Sequence, residues 1–139
     1  MLKMDKERIL NKIDELDQYL NELDKIIPDN FKDYKEIKTK AACERLLQIS
    51  IEIVIDICSL ISSELRLGLP SEEESIFDNL EKKGIINKNM RNILIKMKGF
   101  RNILVHRYGE IEDKYVFEFL NEDLGNFDKF KEEILNFIS

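Results

Sequence analysis

The 139 residues make one domain, residues 1–139, long enough for a proper core. Charged side chains reach 36%, mixed in sign with a net of −6, and there are only five glycines and two prolines. A chain this rich in Leu, Ile, Lys and Glu favours helix and leaves little to build a sheet.

The first amphipathic segment, over residues 5–26, follows Met1-Leu2-Lys3-Met4 directly, so no signal peptide is expected. Ile9, Ile13, Leu16, Leu20, Leu23 and Ile27 recur three and four apart, the narrow apolar seam of a helix on the outside of a bundle. Pro28-Asp29-Asn30 closes it and offers a cap to the next helix.

The second helix is predicted over 31–67. From Leu46 onward it is apolar on most sides, through Ile53, Val54, Ile57 and Ile61, which marks it as the central helix. Gln48, Glu52 and Asp56 interrupt the apolar run, so a membrane span is not expected and a cytoplasmic location is. These three belong to a thin polar line with Arg45, Ser59 and Ser63. The line is either a solvent or interface stripe, or it supplies a carboxylate, Glu52 or Asp56, to a cation buried elsewhere. Cys43 and Cys58 lie fifteen residues apart on this one helix, too far to bridge, and fit no zinc spacing. Buried, reduced thiols are expected.

Gly68-Leu69-Pro70-Ser71 breaks the chain, and Ser71 stands to Glu74 as in a capping box. A short helix over 72–82 presents Ile76, Phe77 and Leu80; Gly84 ends it and Asn87 caps a fourth helix over 88–105. The last helix begins near residue 112 and shows Val116, Phe119, Leu120, Phe127, Phe130 and Ile134, with Gly125 placed to kink or divide it. The fold class is all-α, an up-down bundle of four to five helices. No repeat, glycine-rich phosphate loop, metal-ligand cluster or RNA-recognition strand motif is present, so neither a metal nor a cofactor is expected.

Residues 82–109 hold eight basic side chains and no acidic one. A cationic window on an acidic chain points to a phosphate-bearing partner, and Lys96, Lys98 and Arg107 are candidate phosphate contacts. On a helical wheel Met90, Ile93, Leu94, Met97, Phe100, Leu104 and Val105 fill one apolar arc, and Arg101 falls in its middle. A guanidinium there needs a partner or a cleft, and Glu52 or Asp56 could pair with it. The only histidine, His106, lies five residues on, roughly 140° round the wheel and in line with Asn102. One straight helix cannot aim both groups at one ligand. Either the helix stops just after Val105, with Gly109 as the signal, or a second subunit completes the site.

Arg101-Asn102-x-x-x-His106-x-Tyr108, after Lys96-Met97-x-Gly99-Phe100, resembles the HEPN family, and within it the HepT toxin branch. Phe77-Asp78-Asn79-Leu80, Lys83-Gly84-Ile85-Ile86 and the Glu44–Glu52 portion of the second helix also sit where that family has them, so the resemblance runs over about residues 5 to 137. It implies a helical homodimer joined through the motif helices, with a composite RNA-cleaving site that uses no metal. Arg101 and His106 would be the catalytic pair, Asn102 their polar support, and Tyr108 the tyrosine that receives AMP from a minimal nucleotidyltransferase antitoxin, MntA. The resulting expectation is a metal-independent endoribonuclease toxin of a type VII toxin–antitoxin pair. The chemistry stands on its own terms: cleavage without metal needs a base for the 2′-hydroxyl, a cation for charge developing at phosphorus and an acid for the leaving oxygen. An imidazole and a guanidinium suit the first two, and a twofold dimer supplies a second imidazole for the third. The alternative is a non-catalytic module binding nucleotide or a nucleotidyltransferase partner, with Arg101 and His106 shaping its groove.

Overall fold

The apolar run that marks the central helix becomes α3, Ile37–Glu64, whose 28 residues give it a length of about 42 Å. Cys43, Leu47, Ile51, Val54, Ile57, Cys58 and Ile61 are all fully buried along it. The computed structural model describes residues 5–106 and 110–139, and all the regular structure among them is helical. Around α3 stand α1 (Lys6–Ile26), α2 (Phe31–Tyr34), α4 (Glu73–Lys82), α5 (Lys88–His106), α6 (Glu110–Glu122) and α7 (Gly125–Ile138).

The directions follow from contacts at helix ends. The Asp5 backbone N–H donates to Glu64 Oε2 at 2.6 Å, while the Cys43 thiol approaches the Ile26 carbonyl at 4.0 Å, so α1 and α3 run antiparallel. Ile9, Ile13, Leu16 and Leu23 fill that seam, as the three-and-four spacing requires. Arg101 pairs with Glu73, and Arg91 with Asp78, which sets α5 antiparallel to α4. Phe100 packs against Phe119 with ring centroids 4.5 Å apart, Lys96 meets Asp123 at 2.8 Å and the Asn87 backbone N–H donates to Glu133 Oε1 at 3.0 Å. The α6–α7 arm therefore runs back along α5. The packing is antiparallel for α1 with α3, for α4 with α5 and for the α6–α7 arm with α5, and α3 packs against both α1 and α5.

By length and composition α3 could also cross a membrane. Here its apolar faces pack against α1, α4 and α5. The polar line on α3 is outermost: Arg45, Asp56 and Ser63 are exposed, and Gln48, Glu52 and Ser59 half-buried.

Three local expectations are corrected. The predicted helix over 31–67 is two helices, because Glu36 leaves the helical region (φ −61, ψ 131) and caps α3 by accepting from the Lys38 and Thr39 N–H groups at 3.2 and 2.9 Å. The short α2 this creates turns Phe31 and Tyr34 onto Phe117 of α6, with ring centroids 5.7 and 5.3 Å apart. At its other end α3 stops at Glu64, where Arg66 takes a left-handed conformation (φ 52) and the Leu67 N–H reaches the Ser62 carbonyl at 3.0 Å. The capping box does not form: the Ser71 hydroxyl bonds that of Ser75 at 2.9 Å, and Glu72 caps α4 without a side-chain hydrogen bond. Gly84 and Asn87 do as expected. Gly84 (φ 78) closes α4 in a Schellman turn, with the Ile85 N–H on the Leu80 carbonyl at 3.0 Å. Asn87 Oδ1 accepts from the Met90 N–H at 2.8 Å. Gly125 starts a separate α7, dividing the last predicted helix.

Candidate active site

The site is built on the last two turns of α5. Met90, Leu94, Met97, Phe100 and Leu104 bury one face of this helix and fix its rotation. That rotation sets Arg101 at the edge of the apolar arc, where its side chain is only 19% exposed. Asn102, Val105 and His106 face outward and are exposed, which corrects the expected place of Val105 on the buried arc.

Arg101 has two acceptors. Its Nη2 donates to Glu73 Oε1 in the first turn of α4, and its Nε donates to Asn102 Oδ1 at 3.0 Å. The expectation that Glu52 or Asp56 pairs with Arg101 is therefore wrong. Glu52 instead accepts from Gln48 Nε2 at 3.0 Å on the outer line of α3, and Asp56 is exposed. The physical reason is rotational: α3 turns its hydrocarbon toward α5, so its carboxylates lie away from it, whereas α4 brings an acid to the guanidinium.

The cationic window changes character in three dimensions. Arg91 pairs with Asp78 and lies 3.5 Å from Glu81; the bond to Asp78 holds its guanidinium above the usual arginine range. Lys96 meets Asp123 at 2.8 Å and passes 5.9 Å from the Phe100 ring, and Lys98 lies 3.9 Å from Glu74. Acids that follow and precede the window in sequence thus fold back onto it. Lys96 remains 53% exposed and Lys98 22%. Lys82, Lys83 and Lys88 are exposed around the α4–α5 turn, remote along the helix from His106. Arg107 and Tyr108, the third phosphate candidate and the AMP acceptor, lie outside the described residues.

The structure brings Arg101 and Asn102 into direct contact and seats His106 one turn beyond Asn102 on the exposed face. It does not bring Glu52 to them. Along the helix axis Arg101 and His106 are separated by about 7.5 Å, and their side chains leave on different sides, as the wheel demands. Among the described residues no group of three His, Cys, Asp or Glu side chains could hold a metal ion. Sequence reasoning missed Glu73, taking Glu72, Glu73 and Glu74 only as a helix start. A signal was available only in outline: an antiparallel helix pair joined by a turn at residues 84–87 brings the first turn of α4 near the last turns of α5.

The comparisons with known proteins agree with this fold. The family model for Ribonuclease HepT-like proteins matches residues 9–134. The mRNA nuclease HepT of Shewanella oneidensis is 27% identical over 122 residues, covering 88% of this chain and 92% of that protein. The tRNA nuclease HepT of Aphanizomenon flos-aquae is 27% identical over 131 residues, 94% of this chain and 89% of that one. The fold matches a solved structure of the tri-AMPylated HEPN toxin of Shewanella oneidensis in complex with MNT antitoxin, with a TM-score of 0.84, 26% identity, and coverage of 92% of this chain and 96% of that one. With the motif on α5, an all-helical bundle and a family match over nearly the whole length, this chain belongs to the Ribonuclease HepT-like family.

Proposed function

We propose that this protein is a metal-independent endoribonuclease, the cytoplasmic toxin of a type VII toxin–antitoxin pair, and that it acts as a homodimer joined through α5. The observation that carries the reading is the junction of Arg101, hydrogen-bonded to Asn102, with an exposed His106 on the same terminal turns. His106 takes the proton of the 2′-hydroxyl, which attacks phosphorus to form a 2′,3′-cyclic phosphate. Arg101 balances the charge that develops on the phosphoryl oxygens, and the second imidazole of a twofold dimer protonates the departing 5′-oxygen. Lys96, Lys98 and Arg107 hold flanking phosphates. A dimer is favoured by the outward face of α5, which presents Ile95, Gly99, Asn102, Ile103 and His106 with Val105 beside them, Val105 being 51% exposed with open space beside Gly99.

Control of the activity falls to Tyr108, two residues past His106. Its AMP transfer by a minimal nucleotidyltransferase antitoxin of the MntA type would add bulk and a phosphate next to Arg101, occupying the place of RNA. The AMP groups on the related Shewanella oneidensis toxin support this. One observation favours the second reading, a non-catalytic binding module: the Arg101–Glu73 pair leaves Arg101 without a free charge.

One experiment separates them. Total RNA is incubated with chelator and the protein, the His106→Ala variant, or protein pretreated with the cognate nucleotidyltransferase and ATP. Cleavage by the untreated protein alone is expected, a loss on the order of a hundredfold or more in the other arms. Equal absence of cleavage in every arm would favour the binding module, and a metal requirement would overturn the imidazole mechanism.

A further inference from the structure

Glu73 lies at the start of α4, a helix that contributes no residue to the motif, yet it holds the guanidinium at the centre of the site. We infer that Glu73 is the positioning residue of the active site, fixing the plane of Arg101 so that its free edge meets the scissile phosphate. This rests on the ribonuclease reading given above.

The shape of the guanidinium sets the requirement. It is a planar fork of five N–H donors, and it recognises phosphate through two parallel bonds from one edge, which requires the plane to be set. In this protein the edge formed by Nε and Nη2 is the anchored one: Nε donates to Asn102 Oδ1 at 3.0 Å and Nη2 to Glu73 Oε1. Two acceptors from different helices define a plane, where Asn102 alone would leave rotation about a single bond. Neither bond uses Nη1, which leaves that side of the fork to meet phosphate. Bond by bond, this is the arrangement a positioning carboxylate should make.

The setting of Glu73 supports the assignment. Ser71 and Glu74 do not close a capping box over the α4 N-terminus; Glu73 goes to Arg101 and Glu74 lies 3.9 Å from Lys98. The first turn of α4 is thereby tied to α5 by two charged contacts beside the motif. The Arg101 side chain is 19% exposed and that of Glu73 32%, so the pair is shielded without being sealed from an incoming phosphate. A stray surface pair would let both side chains swing freely in solvent.

Charge and geometry make separable contributions here. The carboxylate positions the guanidinium but repels RNA phosphate, so removing its charge while keeping an acceptor should help binding, whereas removing the acceptor should harm turnover. The test measures kcat and KM on a labelled RNA chosen from those cleaved in the total-RNA assay, for Glu73→Ala, Glu73→Gln, Arg101→Ala and the control Asp78→Asn, with melting temperature recorded for each. Glu73→Ala is expected to lower kcat by about tenfold to a hundredfold, the cost of a misplaced catalytic group. Glu73→Gln should recover most of that kcat with an unchanged or lower KM. Asp78→Asn, which loosens the same pair of helices farther from the motif, should leave kcat unaltered.

If Glu73→Ala keeps or raises kcat while Arg101→Ala is inactive, Glu73 does not position the arginine and the inference fails while the site survives. A fall in melting temperature with unaltered kcat overturns it equally, as a purely structural pair. Full cleavage by Arg101→Ala would instead bring down the ribonuclease site itself.

Discussion

A guanidinium placed in an apolar arc imposes a demand that the fold must answer, and Arg101 shows where the answer comes from. An unpaired charge on that face would cost several kcal/mol, so an acid must come within reach, but sequence does not say which. Glu52 and Asp56 satisfy the demand on paper; rotation of α3 removes them, and Glu73 meets it from α4. The need for a partner was legible in one residue, its identity only in the packing of two helices. The cysteines are the opposite case, because burial alone decides their chemistry. Desolvation, reinforced by the neighbouring Glu44 charge, pushes the Cys43 thiol up to about 11, and burial raises Cys58 further. At pH 8 the thiolate fraction of Cys43 is on the order of one in a thousand, and the thiolate is the reactive form. Native protein treated with iodoacetamide at pH 8 should therefore gain no mass over an hour, and should gain two alkyl groups once unfolded in guanidinium chloride. Rapid labelling of the folded protein at either cysteine would contradict the core placement.

Helix boundaries are where local signals compete, and the ends of α3 and α4 show which signals win. Asn30, Gly84 and Asn87 act as their residue types predict, because each needs only its own neighbours. The break before α3 was not legible, since Glu36 is a poor cap by type and is recruited because Phe31 and Tyr34 are drawn onto Phe117. The Ser71 capping box was legible but wrong, because Glu74 turns toward Lys98. The Glu36 cap has a pH signature. Its carboxyl is held below the ordinary 4.5 by the Thr39 backbone N–H first, then by the Thr39 hydroxyl and the Lys38 N–H. A depressed carboxyl contributes stability that is fully present above its unfolded value and disappears as pH falls through its lower folded value. Glu36→Ala should accordingly melt a few degrees below the parent at pH 7, about the size of a lost helix cap. The gap should narrow progressively below pH 4.5. A gap of constant size from pH 7 to pH 3 would mean the carboxylate is not what caps α3.

At the scale of the whole molecule, the bundle sends Arg101 and His106 of one protomer off α5 in different directions. The buried face of α5 is committed to the core, which places Arg101 at the α4 side and His106 outward, roughly 140° apart round one straight helix. In the proposed homodimer, a twofold axis beside the exposed strip of α5 would bring the His106 of one copy toward the Arg101 of another, since each residue of an isologous contact is presented twice. Complementation follows from that symmetry. Arg101→Ala and His106→Ala homodimers should each be inactive, because every site lacks one member of the pair. When the two variants are unfolded together and refolded as an equal mixture, about half the dimers are mixed, and each mixed dimer holds one site with both Arg101 and His106. Activity should reappear above that of either variant, up to about a quarter of the parent, and below it to the extent that the second imidazole is needed for the leaving oxygen. Size-exclusion chromatography confirms that both variants dimerise. A mixture that forms dimers and cleaves no RNA would show that a single Arg101–His106 pair shared across the interface is not a sufficient site.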